Sequence, residues 1–171
     1  MKKRILPARL PGRNPGQVNA QTKRETSHAL VDTGPLVAIF LTSDPNHSDC
    51  VEALHSLPWP LLSCWPVITE ALWLLRADPE ACRKLLGAIG TEFLHLLPLL
   101  PADGPAISQV MEQYQSHGPQ FTDSTLVLLA LREHIDTIFT TDPNSFSFYR
   151  ISRKRPFRLI PTPEKPRRKK H

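Results

Sequence analysis

Short apolar segments alternate with longer stretches of helical pattern between residues 28 and 160, and this alternation restricts the possible folds more than any other feature. Four apolar segments, at 28–32, 61–64, 92–97 and 135–140, have the length of buried strands, and 157–160 is a candidate edge strand. Strands that alternate with helices are typical of an α/β protein whose sheet is mainly parallel. The sequence therefore predicts an α/β domain.

Prolines mark where several of the helices begin and end. Pro35 and Pro79 suit the first turn of a helix, and Pro58 ends the helix that precedes it. Helical pattern is predicted at 35–42, 44–57, 66–76, 79–89, 103–116 and 122–134. Because ligands of such sheets bind at the carboxyl ends of the strands, the residues that follow each strand are the candidate site residues.

Charge is divided sharply along the chain. Residues 28–149 carry a net charge of −10, whereas residues 1–27 carry +6 and residues 150–171 carry +9. We expect a basic, disordered N-terminal arm at 1–27 and a basic C-terminal tail at 163–171, since both offer little apolar surface to offset the entropy of ordering. Such arms favour binding to nucleic-acid phosphates. The alternative is a tail that only solvates the protein or folds back onto its acidic body.

Composition excludes several classes of protein. No apolar run approaches the roughly 18 residues of a membrane span, so no membrane partner is expected. The three cysteines, Cys50, Cys64 and Cys82, have no C-x-x-C spacing, which disfavours a disulfide framework and a cysteine-built zinc site. A cytoplasmic location fits best. No G-x-S-x-G elbow is present, so acyl transfer has no support.

Four carboxylates fall at one predicted edge of the sheet. Asp32 and Asp142 each end a strand, while Glu70 and Asp123 lie near the starts of helices. Converging carboxylates repel one another and raise one another's pKa, unless a cation neutralises them. Mg²⁺ or Mn²⁺ prefers oxygen ligands and supports phosphodiester hydrolysis by activating water. The four acids therefore predict a divalent metal site.

Each of these acids also has a purely structural explanation. Asp123 could cap a helix, Asp142 could start a turn before Pro143, and Asp32 could be a turn residue. Glu70 is hardest to explain in this way, because its neighbours are apolar. The four acids at one edge carry more weight together than singly.

Polar and aromatic residues near the acids allow two interpretations. Thr33, Ser124 and Thr141 could orient a carboxylate or a metal-bound water, or could serve only in local caps and turns. We expect the three tryptophans to belong to the core rather than to form base-stacking platforms; they are Trp59, Trp65 and Trp73.

Four short motifs give the chain a resemblance to the PIN domain family, and within it to the VapC toxins of bacterial toxin–antitoxin pairs. The motifs are LVDTGPLVA at 30–38, VITE at 67–70, FTDSTLVLLA at 121–130 and IFTTD at 138–142. They occur in order and span a region of roughly 28–162. The basic leader and the sequence after Asp142 depart from the usual pattern of this family.

The resemblance implies a Rossmann-like, three-layer α/β/α fold and a Mg²⁺- or Mn²⁺-dependent endoribonuclease over residues 28–162. It implies that Asp32, Glu70, Asp123 and Asp142 are the metal-binding and catalytic acids, with Asp32 and Asp123 the most regular ligands. Thr141 matches a position that often lines the site. The resemblance also implies a structured RNA substrate such as tRNA, a homodimer and a neutralising antitoxin peptide.

Two other functions compete with ribonuclease activity. A PIN-like module could bind RNA through its arms without cutting it, although the presence of all four acids argues against this. An aspartate-based phosphatase of the haloacid-dehalogenase type would need D-x-D-x-T after the first strand. This chain has Asp32-Thr33-Gly34-Pro35 there, without the second aspartate.

Overall fold

The computed structural model of the chain describes residues 28–152 and 154–160. The predicted arms at 1–27 and 163–171 lie outside these residues. No helix in the described part of the chain is both long enough and apolar enough to cross a membrane.

Five parallel strands form the central sheet. They are β1 (Leu30–Val31), β2 (Leu61–Ser63), β3 (Leu94–Leu96), β4 (Thr137–Phe139) and β7 (Arg158–Ile160), in the spatial order β3-β2-β1-β4-β7. Each neighbouring pair is parallel, with Leu30 paired to Leu62 on one side and to Ile138 on the other. All carboxyl ends of the strands consequently meet at one edge, which we call the carboxyl edge.

Within the residues that the structure describes, seven helices connect and flank the strands. They are α1 (Thr33–Phe40), α2 (His47–Ala53), α3 (Trp65–Leu74), α4 (Pro79–Ala88), α5 (Asp103–Gln113), α6 (Phe121–Arg132) and α7 (Pro143–Phe146), with 3-10 turns at Leu54–Ser56 and Gln115–His117. The parallel sheet flanked by helices confirms the predicted α/β fold. α4 begins as proline and capping rules predict, with Pro79 in its first turn and Asp78 accepting a hydrogen bond from the Ala81 N–H.

The sheet is the centre of the core. Leu30, Ile138 and Phe139 are completely buried, and the inner faces of the helices cover them. Strands buried on both faces explain why the apolar segments are continuous rather than alternating. Three short elements lie outside the predicted set: α7 and the antiparallel hairpin of β5 (Arg150–Ser152) and β6 (Arg155–Pro156).

The prediction that the tryptophans belong to the core is wrong. Trp59, Trp65 and Trp73 are 36, 56 and 64% exposed. The last two lie on α3 outside the stripe that this helix buries, which comprises Val67, Ile68 and Ala71. Helical spacing, rather than hydrophobicity, decides which side chains face the core.

Candidate active site

Asp32 connects the centre of the sheet to the carboxyl edge. Its backbone N–H donates to the Phe139 carbonyl (2.9 Å), which extends the pairing of β1 with β4 by one residue. Its side chain is only 8% exposed and accepts a hydrogen bond of 2.8 Å from Thr140 Oγ1. Although Asp32 is the N-cap residue of α1, its carboxylate makes no capping hydrogen bond. Helix capping therefore does not explain why an aspartate stands at position 32.

The pKa of Asp32 rises to about 6. Burial is the largest cause, and the carboxylates of Glu70 and Asp142 raise it further, whereas hydrogen bonds from the Thr33 backbone and the Thr140 hydroxyl lower it. Burial thus contributes more than the repulsion between acids that the sequence predicts. A buried carboxylate that carries its charge only at a cost is suited to bind a cation.

Asp123 lies in the first turn of α6 and has the more strongly perturbed carboxyl group. Its pKa rises to about 7, first through burial and then through the charges of Asp32, Glu70 and Asp142. The N-cap position belongs to Gln120, and within the described residues the Asp123 carboxylate has no hydrogen-bond partner. The capping role considered for Asp123 is therefore absent from the structure.

Glu70 reaches the same region from α3. It is half-buried, and its Oε2 accepts a hydrogen bond of 3.0 Å from Thr33 Oγ1. Thr33 is the first residue of α1, so this hydrogen bond links α1 to α3 beside Asp32. The charge of Glu70 contributes to the raised pKa of both Asp32 and Asp123. The structure therefore brings together acids from three separate segments of the chain.

Asp142 is held differently from the other acids. It is exposed and caps α7, because its Oδ1 accepts from the backbone N–H groups of Asn144 (3.1 Å) and Ser145 (3.3 Å). Its Oδ2 accepts from Ser145 Oγ at 2.7 Å. The turn-forming role considered for Asp142 is therefore realised. Its charge still reaches Asp32 and Asp123 and raises the pKa of both.

The hydroxyl residues near the acids have separate contacts. Thr33 donates to Glu70, whereas Ser124 is completely buried and lies 3.3 Å from the Tyr149 hydroxyl instead of reaching an acid. Thr141 packs against Gly34, where an added Cβ would come within 2.0 Å of Thr141 Oγ1. Only glycine permits α1 to start this close to the loop after β4.

Sequence reasoning missed Thr140 and Tyr149. Thr140 donates to Asp32 and accepts from the Asp142 backbone N–H at 3.0 Å, so it connects two of the acids. Tyr149 is completely buried against the Ser124 side of α6. Thr140 could have been predicted from the sequence, because it directly follows a buried strand and such a residue lies at the carboxyl edge.

The donor set fits a hard divalent cation, although the acids are not a compact ligand cage. Among the residues that the structure describes, no three His, Cys, Asp or Glu side chains form a ready-made metal site. Mg²⁺ commonly binds through one or two carboxylates and fills its remaining positions with water and substrate phosphate. Asp32 and Asp123 are the two acids whose raised pKa a cation would relieve most directly.

Comparison with known proteins matches the PIN domain family model to residues 29–154 of the chain. The fold is similar to the crystal structure of Mycobacterium tuberculosis VapC20, described as a toxin that cleaves the sarcin-ricin loop. The similarity has a TM-score of 0.64 at 14% sequence identity, and it covers 72% of this chain and 98% of that one. No curated protein sequence matches the chain.

Proposed function

The chain belongs to the PIN domain family, and from this membership we propose that it is a Mg²⁺- or Mn²⁺-dependent endoribonuclease of the VapC type. The observation that carries the proposal is the grouping of Asp32, Glu70 and Asp123 at the carboxyl edge. Burial and the charge of Glu70 raise the pKa of both Asp32 and Asp123, and the three acids come from distant segments of the chain. A structural role for each alone leaves this convergence unexplained.

In this proposal Asp32 and Asp123 would hold the metal, and Glu70 and Asp142 would complete the acidic site. The chemistry supplied by a bound cation would be a polarised phosphate and a water molecule of lowered pKa. Thr140 fixes the Asp32 carboxylate and Thr33 fixes that of Glu70, so both carboxylates are positioned before substrate arrives. Such preorganisation lowers the reorganisation cost of the reaction. Thr141 and Ser124 support the loop after β4 and the start of α6.

RNA is the proposed substrate, and a structured RNA such as tRNA is the proposed class. VapC20, whose fold this chain shares, is described as cleaving the sarcin-ricin loop, which favours RNA over DNA. The basic segments 1–27 and 163–171 would offset the repulsion between phosphates and the acidic body. Deleting both should flatten the salt dependence of RNA affinity, by a slope of about 0.7 to 0.9 for each phosphate that the segments no longer neutralise.

The proposal includes a second copy of the chain and a cognate antitoxin peptide as partners, in a cytoplasmic setting. Large exposed apolar side chains on two consecutive helices support a protein interface: Trp73 and Leu74 on α3, and Leu86 on α4. Sedimentation equilibrium of the purified chain, alone and with the product of an adjacent gene, tests both partners.

The decisive experiment compares the wild-type chain with Asp32→Asn on purified tRNA and total RNA, in Mg²⁺ and in Mn²⁺. We expect cleavage that requires metal and disappears in the variant, with an unchanged circular dichroism spectrum. Intact RNA in both metals, together with no heat of divalent-ion binding in calorimetry, would exclude the nuclease. RNA binding without cleavage would instead identify a non-cleaving module, and a trapped aspartyl-phosphate would identify a phosphatase.

A further inference from the structure

A polar pocket adjoins the acidic site on the side of Asp123. Its volume is about 250 Å³, and its walls come from the turn before α6 and from α7 with the segment that follows it. The lining residues that matter here are His117, Gln120, Asp123, Asn144, Ser145 and Phe148. Since pockets for drug-sized ligands measure roughly 300–1,000 Å³, this one suits a single ring system.

One wall of the pocket is an aromatic stack. The rings of His117 and Phe148 are stacked, with centroids 4.5 Å apart and planes inclined by 18°. Phe148 is fixed from behind by Tyr149 (4.4 Å) and Tyr114 (5.8 Å). Gly118, with a left-handed φ of 63°, ends the turn that carries His117. A flat ring entering the pocket would therefore meet aromatic surface that is already ordered.

The hydrogen-bonding groups of the pocket are two side-chain amides. Gln120 and Asn144 are exposed, and within the described residues neither side-chain amide has a hydrogen-bond partner. Each amide offers two donors and one acceptor, the groups that pair with the edge of a nucleobase. Ser145 is already engaged with Asp142, so it contributes shape rather than a free hydroxyl.

From this geometry we infer that the pocket binds one unpaired nucleobase next to the phosphate that lies in the acidic site. The base stacks on the His117–Phe148 pair, and Gln120 and Asn144 contact its edge. Unstacked bases of RNA are commonly held in this way, between aromatic side chains and hydrogen-bonding groups. Asp123 belongs to both the pocket and the acidic site, which sets the base and the phosphate side by side. The inference rests on the proposed RNA substrate and adds a specificity determinant to it.

Two ribonucleotide nonamers of equal backbone charge test the pocket. One contains a single 2-aminopurine flanked on each side by four abasic nucleotides, and the other is abasic throughout. Binding to the full chain is measured in EDTA, where a metal-dependent nuclease does not cut. We expect the wild type to bind the first nonamer more tightly and to quench its fluorescence through stacking.

The variants His117→Ala and Phe148→Leu should weaken binding of the 2-aminopurine nonamer about 5- to 150-fold and abolish the quenching, because loss of base stacking on an aromatic side chain weakens binding by about that factor. Binding of the abasic nonamer should not change. His95→Ala is the matched control, since it removes an exposed histidine from β3, away from the pocket. His117 is exposed, so its variant decides the matter if Phe148→Leu proves unstable.

Natural bases test the amides. With 2-aminopurine replaced in turn by A, G, C and U, Gln120→Ala and Asn144→Ala should reduce the wild-type preference among bases, whereas the control Gln113→Ala should keep it. Equal wild-type affinity for the two nonamers, or variants that weaken both nonamers equally, would overturn the inference.

The pocket and the nuclease can fail separately. Parallel reactions on total RNA in Mg²⁺ and Mn²⁺ report cleavage. Quenching that depends on His117, without any cleavage, would leave the base pocket in place and exclude the nuclease. Cleavage without any dependence of binding on the base would exclude the pocket and leave the nuclease.

Discussion

Two parts of the carboxyl edge hold aspartates in opposite ways. At its centre, Asp32 is buried and Asp123 is half-buried, and neither caps its helix. At its periphery, Asp142 is exposed and uses both oxygens to hold the first turn of α7. Position at this edge therefore brings an acid to the site, whereas burial without a capping role leaves its carboxylate available to a cation.

RNA cleavage should distinguish the central acids from Asp142 more strongly than any other measurement. We expect Asp32→Asn and Asp123→Asn each to lower the rate of RNA cleavage by about 10³-fold or more, because electrostatic groups at the reacting phosphate contribute several kcal/mol. Asp142→Asn should lower it by about tenfold at most, since asparagine retains the cap and only the charge is lost. Single-turnover cleavage of one RNA by all three variants measures the contrast.

Equal losses at Asp32 and Asp142 would contradict this distinction, because they would make the peripheral acid as essential as the central ones. Asp136→Asn is a matched control, since it changes an aspartate directly before β4, at the far end of that strand. We expect this variant to cleave at the wild-type rate.

The pH dependence of metal binding should follow the central acids. Their pKa values of about 6 and about 7 mean that both are largely protonated at pH 5.5 and ionised at pH 8. A cation competes with these protons, so Mn²⁺ affinity should rise by about 10- to 100-fold between the two values. Calorimetric titration at several pH values checks this, and Asp142→Asn should leave most of the rise in place.

The contribution of the central acids to stability should fall as the pH rises, whereas metal affinity should increase. Both central acids have a higher pKa in the folded chain than in the unfolded chain, so the folded state binds more protons between about pH 4 and pH 7. Their contribution to the free energy of unfolding is consequently largest in acid and is lost as the pH rises through 6 and 7. A neutral residue at such a position should stabilise the folded protein at high pH, because it removes an unfavourable buried charge.

Asp32→Asn therefore should raise the free energy of unfolding of the metal-free chain by about 1 to 2 kcal/mol at pH 8, and by nearly nothing at pH 4. Urea unfolding in EDTA at pH 4 and pH 8 measures this change in the free energy of unfolding. Asp142→Asn should change the free energy of unfolding little at either pH. A destabilised Asp32→Asn at pH 8 would show that its charge is satisfied in the folded protein, contrary to this account.

The strands and the four acids are within reach of sequence reasoning because their signals are local. Continuous apolar segments identify strands buried on both faces, and a carboxylate is expected at the carboxyl edge when it follows such a strand, as Asp32 and Asp142 do, or lies in a helix beside that edge, as Glu70 and Asp123 do. The partners of those acids are not predictable in the same way. Thr140 lies 108 residues from Asp32, and Tyr149 lies 25 residues from Ser124, so only the assembled sheet reveals these contacts.

The features that the sequence predicted wrongly or not at all also have physical explanations. Hydrophobicity alone places Trp65 and Trp73 in the core, yet α3 already buries a complete stripe that begins at Val67. α7 has only four residues and depends on the Asp142 cap, so its apolar pattern is too short to be recognised. Phe148 and His117 contact each other across 31 positions, which hides the aromatic wall of the pocket from any local motif.

The smallest expected effect concerns the cap itself. Asp142→Ala removes the acceptor of two backbone N–H groups at the start of α7, and loss of such a cap costs about 1 kcal/mol. Asp142→Asn should cost only a few tenths, because its amide oxygen still accepts. Urea unfolding of the two variants at pH 7 measures the difference. If both lose the same stability, the charge of Asp142 matters more than its hydrogen bonds, and that charge would then stabilise the folded chain, the reverse of what we expect for the central pair.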